Sequence, residues 1–252
     1  TPRPAPAPAS GVVHGVGISP QGFPRDYSKL KDFYAEVAAM PNGGVLWNGA
    51  WREDMVGGQD AGRIPKSPAS IARDASAYGI TPIFVFGWRS GETLFVTVPA
   101  NSANDWSNSE ARELYASMLA EFASIYHPPY IFLGNENDVY YEQDADGYAD
   151  WIAAYDQAYD AVKAAAPDTL VGPVFNYEHL SGQGLLTGWA MSDWQALETH
   201  DLSKVDIVGL TLYPFFNYAA PAEIPDDYLR PLLARLGAKP LAVTETGWPA
   251  EN

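Results

Sequence analysis

Tyr130-Ile-Phe-Leu-Gly-Asn-Glu136 and Pro240-Leu-Ala-Val-Thr-Glu245 are two apolar runs that each stop at a glutamate. Each has the length and composition of a buried β-strand. Working outward, five more strand-like runs appear: Val12–Ile18, Gly44–Asn48, Thr81–Phe86, Thr169–Phe175 and Asp206–Tyr213. Helical patterns separate them. The first runs from Tyr27 to Met40 behind Asp26 as N-cap. The second runs from Pro68 to Tyr78, with Ser67 before it and Gly79 as its stop. Ser109 is expected to cap a helix reaching Tyr126, and others span Ala145–Ala166, Ser192–Thr199 and Asp227–Leu236. The strand-to-strand repeat is roughly 35 residues, the size of one βα unit. Seven such units imply a parallel sheet buried on both faces. No Gly-x-Gly-x-x-Gly follows the first strand and no phosphate loop is present, which disfavours a nucleotide-binding sheet. The expected fold is a (β/α)8 TIM barrel occupying residues 11–252, with seven strands readable and the eighth absent from this chain. A missing C-terminal segment or a complementing chain is expected to supply that strand, because an open gap leaves unpaired edges.

Composition narrows the function. The 252 residues carry 15 Lys and Arg against 31 Asp and Glu, a net charge of −16. That balance repels nucleic acid and anionic membranes and suits a neutral ligand. No apolar run approaches the about 18 residues of a membrane span. There is no cysteine, which excludes disulfides and thiolate metal sites. No His-x-x-x-His pair is present, so neither a metal nor an organic cofactor is expected. The acidic run Glu142, Asp144 and Asp146 reads as a solvated helix start rather than a calcium loop. Residues 1–10 alternate Pro and Ala as a stiff linker, and suggest a secreted or cell-surface protein.

In an α/β barrel the chemistry sits at the C-terminal ends of the strands. Glu136 and Glu245 both stand there, on the fourth and seventh strands. Two carboxyls are what acetal cleavage needs, one to protonate the leaving oxygen and one to face the anomeric carbon. In the retaining mechanism they lie about 5–5.5 Å apart. Asn135 would donate to a sugar hydroxyl, and Tyr213 would hold Glu245 ionised. Trp88, Trp248 and Trp47 follow strand ends, where an indole face can stack on a pyranose. Glu178, after the fifth strand, is the rival acid, with nothing in its surroundings to mark it. His14 reads as a core histidine.

The chain resembles the retaining glycoside hydrolases of clan A, whose acid/base Glu follows Asn at the end of strand four and whose nucleophile ends strand seven. Gly134-Asn135-Glu136-Asn137 and Thr244-Glu245-Thr246-Gly247-Trp248-Pro249 match both, which implies Glu136 as the acid, later the base for water, and Glu245 as the nucleophile. Asp206-Ile-Val-Gly-Leu-Thr-Leu-Tyr-Pro-Phe215 looks like the clan's strand bearing a Tyr beside the nucleophile. These blocks are most similar to arabinogalactan endo-β-1,4-galactanases and to plant-type endo-β-1,3-glucanases. The Arg that many members carry after strand two is replaced by Trp47-Asn48. The resemblance implies an endo-acting enzyme on a β-linked glycan. The alternative is a catalytically silent carbohydrate-binding barrel with the same groove.

Overall fold

In the computed structural model, the residues described are 11–20, 22, 25–52, 64–98, 101–183, 189 and 191–248. The Pro/Ala linker and Pro249 lie outside them. Each apolar run becomes a strand: β1 His14–Gly17, β2 Gly43–Ala50, β3 Thr81–Gly87, β4 Tyr130–Leu133, β5 Leu170–Asn176, β6 Val208–Leu212 and β7 Leu241–Thr246. All seven pair in parallel, in chain order. A small antiparallel hairpin, Arg89–Ser90 with Thr93–Leu94, follows β3.

Strand side chains alternate between two faces, and the two faces build two cores. Val85, Phe132, Val174 and Ile207 point inward and fill the barrel, with Leu46, Ile83, Tyr130, Leu170 and Ala242 against them. Their neighbours Phe84, Phe86, Ile131, Leu133 and Phe175 point outward into the larger core beneath the helices. Gly172 lets β5 approach β6. A Cβ there would come within 1.6 Å of the Ile207 carbonyl oxygen.

The sheet curls into a nearly closed (β/α)8-type barrel. Among the described residues β1 and β7 pair with one neighbour each and not with one another. A cleft of about 1200 Å³ separates them, lined by Val16, Ile18, Leu46, Phe132, Ala242 and Val243. His14 lies on this edge and is exposed, which corrects its reading as a core histidine.

The helices are α1 Leu30–Ala39, α2 Lys66–Tyr78, α3 Ser109–Tyr126, α4 Asn137–Gln143, α5 Ala145–Ala165, α6 Tyr177–Ser181, α7 Gln195–Glu198 and α8 Arg230–Leu236. Gly79 ends α2 in the left-handed conformation, as expected. Two caps differ. Asn108, not Ser109, caps α3 by accepting from the Ala111 N–H. Asp26 spends its carboxylate on the backbone and hydroxyl of Ser28, so α1 begins only at Leu30. The short helices α4 and α6 carry no sequence pattern of their own, and both begin at the barrel mouth. Asp144 caps α5 by accepting from Gly147. Among the described residues no cluster of three metal-ligating side chains occurs, and no helix is long and apolar enough to cross a membrane.

Candidate active site

β4 ends by turning back on itself. Gly134 has φ +73°, and its N–H donates to the Phe86 carbonyl. Glu136 then adopts φ 49° and ψ 58°, the left-handed region, just before α4. A non-glycine residue there carries strain of about 1 kcal/mol or more, and such strain clusters at functional sites. Arg89 Nη2 donates to the Glu136 carbonyl oxygen at 3.3 Å and braces the turn. Burial pushes the Arg89 guanidinium below its ordinary value, while the charges of Glu136 and Asp138 oppose the shift.

The Glu136 carboxyl meets two strand-end donors. Asn176 Nδ2, at the end of β5, donates to Oε1 at 3.1 Å, and Thr211 Oγ1, on β6, donates to the same oxygen at 2.8 Å. Among the described residues Oε2 has no hydrogen-bond partner. Thr211 therefore faces the barrel axis. Its backbone partner across β6 and β7 is Glu245, and paired residues of neighbouring strands share a face. This pairing depends on a β-bulge. The register runs Leu210 to Val243 and then Thr211 to Glu245, which leaves Thr244 as the extra residue. Counting from inward Ala242, strict alternation would turn Glu245 outward. The bulge reverses that and aims it at the mouth, a recognised use of bulges. Thr244 Oγ1 donates to the Leu210 carbonyl at 3.1 Å and secures the irregularity.

Tyr213, two residues past Thr211, donates its phenol to Glu245 Oε1. Burial is the largest cause pushing that phenol well above its usual value. The bond to Glu245 and the charges of Glu245, Glu136 and Glu178 push the same way. It stays a donor at any ordinary pH. The two glutamates thus belong to one polar cluster, linked through Thr211 and Tyr213.

The other residues singled out in the sequence divide. Asn135 sits beside Glu136 with a buried Oδ1 that has no partner among the described residues, an atom that a hydroxyl-bearing ligand would satisfy. Trp248 is 37% exposed on the rim and meets Phe215 edge-on at 6.2 Å. Trp88 is 2% exposed, enclosed by Trp106, Tyr140 and Trp151, and it is core rather than a platform. Trp47 is 8% exposed and packs on Phe84 and Phe86, again under the helices. Both share the outward parity of their strands.

Sequence reasoning missed Arg89, Asn176, Thr211, Asp138 and His179. The usable signal was a lone polar residue near the end of an apolar run, as at Thr211 and Asn176. Glu178 proves distinctive. It is fully buried, accepts from the Tyr228 hydroxyl at 2.9 Å, and burial raises its carboxyl above the ordinary range.

No protein-family model matches the sequence, and comparison with curated proteins finds no match. Solved structures do match. The chain has the barrel fold of known β-glycosidase structures. β-Glycosidase BGL167 superposes with a TM-score of 0.57 at 15% identity, over 90% of this chain and 69% of that one. A β-glucosidase from Thermotoga maritima gives 0.55 at 14% identity, over 88% and 67%. The exo-β-1,4-mannosidase Op5Man5 from Opitutaceae bacterium strain TAV5 gives 0.53 at 16% identity, over 93% and 51%. At these identities the likeness concerns the fold.

Proposed function

We propose that this protein is a retaining β-glycosidase of the clan A type that uses Glu136 as acid/base and Glu245 as nucleophile. One observation carries the reading. The bulge in β7 brings Glu245 onto the inward face beside Thr211, the residue that holds Glu136. A barrel that only binds sugar needs neither the bulge nor the strained turn at Glu136.

In the first step Glu245 attacks the anomeric carbon and the glycosidic C–O bond breaks. The proton on Glu136 goes to the leaving oxygen, and the sugar becomes an ester of Glu245. In the second step water attacks the same carbon and Glu136 takes its proton. The ester bond breaks and Glu245 is regenerated with the configuration retained. Tyr213 orients the nucleophile, and Asn135 contacts the sugar hydroxyls. Trp248 offers a stacking face at the rim. The resemblance of the strand-end blocks to endo-acting enzymes favours internal cleavage of a polysaccharide. Such a substrate fits a secreted or cell-surface location. No metal or organic cofactor takes part in this scheme.

The test is a panel of β-linked glycans with product anomers followed by NMR. Initial release of the β-anomer supports the reading, and initial release of the α-anomer would refute it. Glu245→Ala should abolish turnover, whereas Glu136→Ala should spare substrates with good leaving groups, which need little protonation.

A further inference from the structure

A second polar assembly lies behind Glu136, and its Asp138, Asn176 and His179 are buried. Asp138 is the second residue of α4, two positions after Glu136, and is 2% exposed. Its Oδ2 lies 2.6 Å from Nδ1 of His179, which is on α6 and also buried. Its Oδ1 accepts from the Asn176 backbone N–H at 2.8 Å. Asn176 is fixed at three points. Its N–H is held by Asp138, its Oδ1 accepts from the backbone N–H of His179 at 3.1 Å, and its Nδ2 donates to Glu136 Oε1. The bond to Oδ1 decides the amide's orientation, since an amide turned over would present an oxygen to the Glu136 carboxyl.

We propose that Asp138 and the His179 imidazole form a positioning pair that holds the Asn176 backbone at the start of α6, and through the Asn176 side chain keeps the Glu136 carboxyl in the orientation that proton delivery requires. The contacts make a closed ring: Glu136 to Asp138 along the chain, Asp138 to the His179 imidazole, the His179 backbone N–H to Asn176, and Asn176 back to Glu136. A ring of short directional bonds fixes a side chain far better than one bond does. It also restrains the strained turn, because both ends of the Glu136–Asp138 segment are tied to the start of α6. Burial alone would lower the imidazole's affinity for a proton. The bond and charge of Asp138, with Glu142 and Asp193, outweigh it and raise His179 above its ordinary value. The indole of Trp189 stacks on the imidazole at 4.8 Å between centroids.

This role presupposes that Glu136 is the acid, so the experiment separates the two assignments. Four full-length variants, Glu136→Ala, His179→Ala, His179→Asn and Asn176→Asp, are compared with the parent. The substrates are a β-linked oligosaccharide and the matching dinitrophenyl β-glycoside. His179→Ala should lower kcat/KM on the oligosaccharide about 10- to 100-fold and leave the activated glycoside little changed. His179→Asn, whose amide can place a donor near the Nδ1 position, should recover most of the loss. Asn176→Asp keeps the helix cap but removes the donor to Glu136. It should show the same selective loss even if His179→Ala does not fold. A role in folding alone would reduce both substrates alike. Equal losses in the His179 and Asn176 variants, beside a selective loss in Glu136→Ala, would overturn the positioning pair alone. Equal losses in Glu136→Ala would overturn the acid assignment and the pair's role with it.

Discussion

Tyr213→Phe removes one oxygen from the site and little else. The ring keeps its edge contacts with Phe215 at 5.8 Å and Phe216 at 6.2 Å, so the loop after β6 should hold its shape. What is lost is the hydrogen bond from the phenol to Glu245 Oε1. A hydrogen bond to a charged acceptor contributes about 1.5–3 kcal/mol. At about 1.4 kcal/mol per factor of ten, that is roughly 10- to 150-fold in rate. The loss should fall on formation of the glycosyl ester, because Tyr213 restrains Glu245 before it attacks. The assay is pre-steady-state turnover of a dinitrophenyl β-glycoside, where release of the aryl group reports that step directly. The pH profile carries a second expectation. Burial and the neighbouring carboxylates hold the phenol protonated, so the parent should show no alkaline limb from Tyr213 near its ordinary pKa of about 10. A variant whose first step stays within about 3-fold of the parent, below the range expected of a charged hydrogen bond, would refute the bond's role.

Trp248→Ala should raise KM for a β-glycan about 2- to 10-fold with kcat little altered, the value of one aromatic contact; steady-state kinetics with an unchanged KM would count against the platform. Gly172→Ala should destabilise the fold by about 3 kcal/mol or more, since its methyl would meet the Ile207 carbonyl, and an unchanged denaturant midpoint would contradict that packing. His200 is buried against the Tyr148 hydroxyl, and burial lowers its pKa from 6.5 to about 3. The unfolded chain therefore binds the proton first as pH falls. Stability should drop between about pH 6.5 and 3, by up to ~1.4 kcal/mol per unit. Denaturation of His200→Gln across this range should show a shallower slope than the parent, and an equal slope would show that His200 does not drive acid unfolding.

The barrel was legible because buried parallel strands are written as uninterrupted apolar runs, and a strand-end glutamate interrupts them visibly. The helix stop at Gly79 was legible for a similar local reason. What surrounds Glu136 was not. Its left-handed backbone leaves no mark in Gly134-Asn135-Glu136-Asn137, and its donors come from strands 40 and 75 residues away. The bulge at Thr244 was hidden too, because the apolar run around it looks regular and the alternation gives the wrong face for Glu245. The same alternation would have placed two tryptophans correctly. Trp88 shares parity with outward Phe84 and Phe86, and Trp47 is next to inward Leu46. Position at a strand end says that a side chain is near the mouth, and only parity says whether it looks into it.

The central claim is that Glu245 attacks the sugar while Glu136 supplies the proton. A fluorosugar inactivator with a good leaving group slows breakdown of the glycosyl-enzyme more than its formation, so the ester accumulates. Proteolysis and mass spectrometry then locate the attached sugar. The expected result is one equivalent on Glu245, in the peptide containing Leu241–Thr246, and no label in the Glu245→Ala variant. A label on Glu136 or on the buried Glu178 would contradict it.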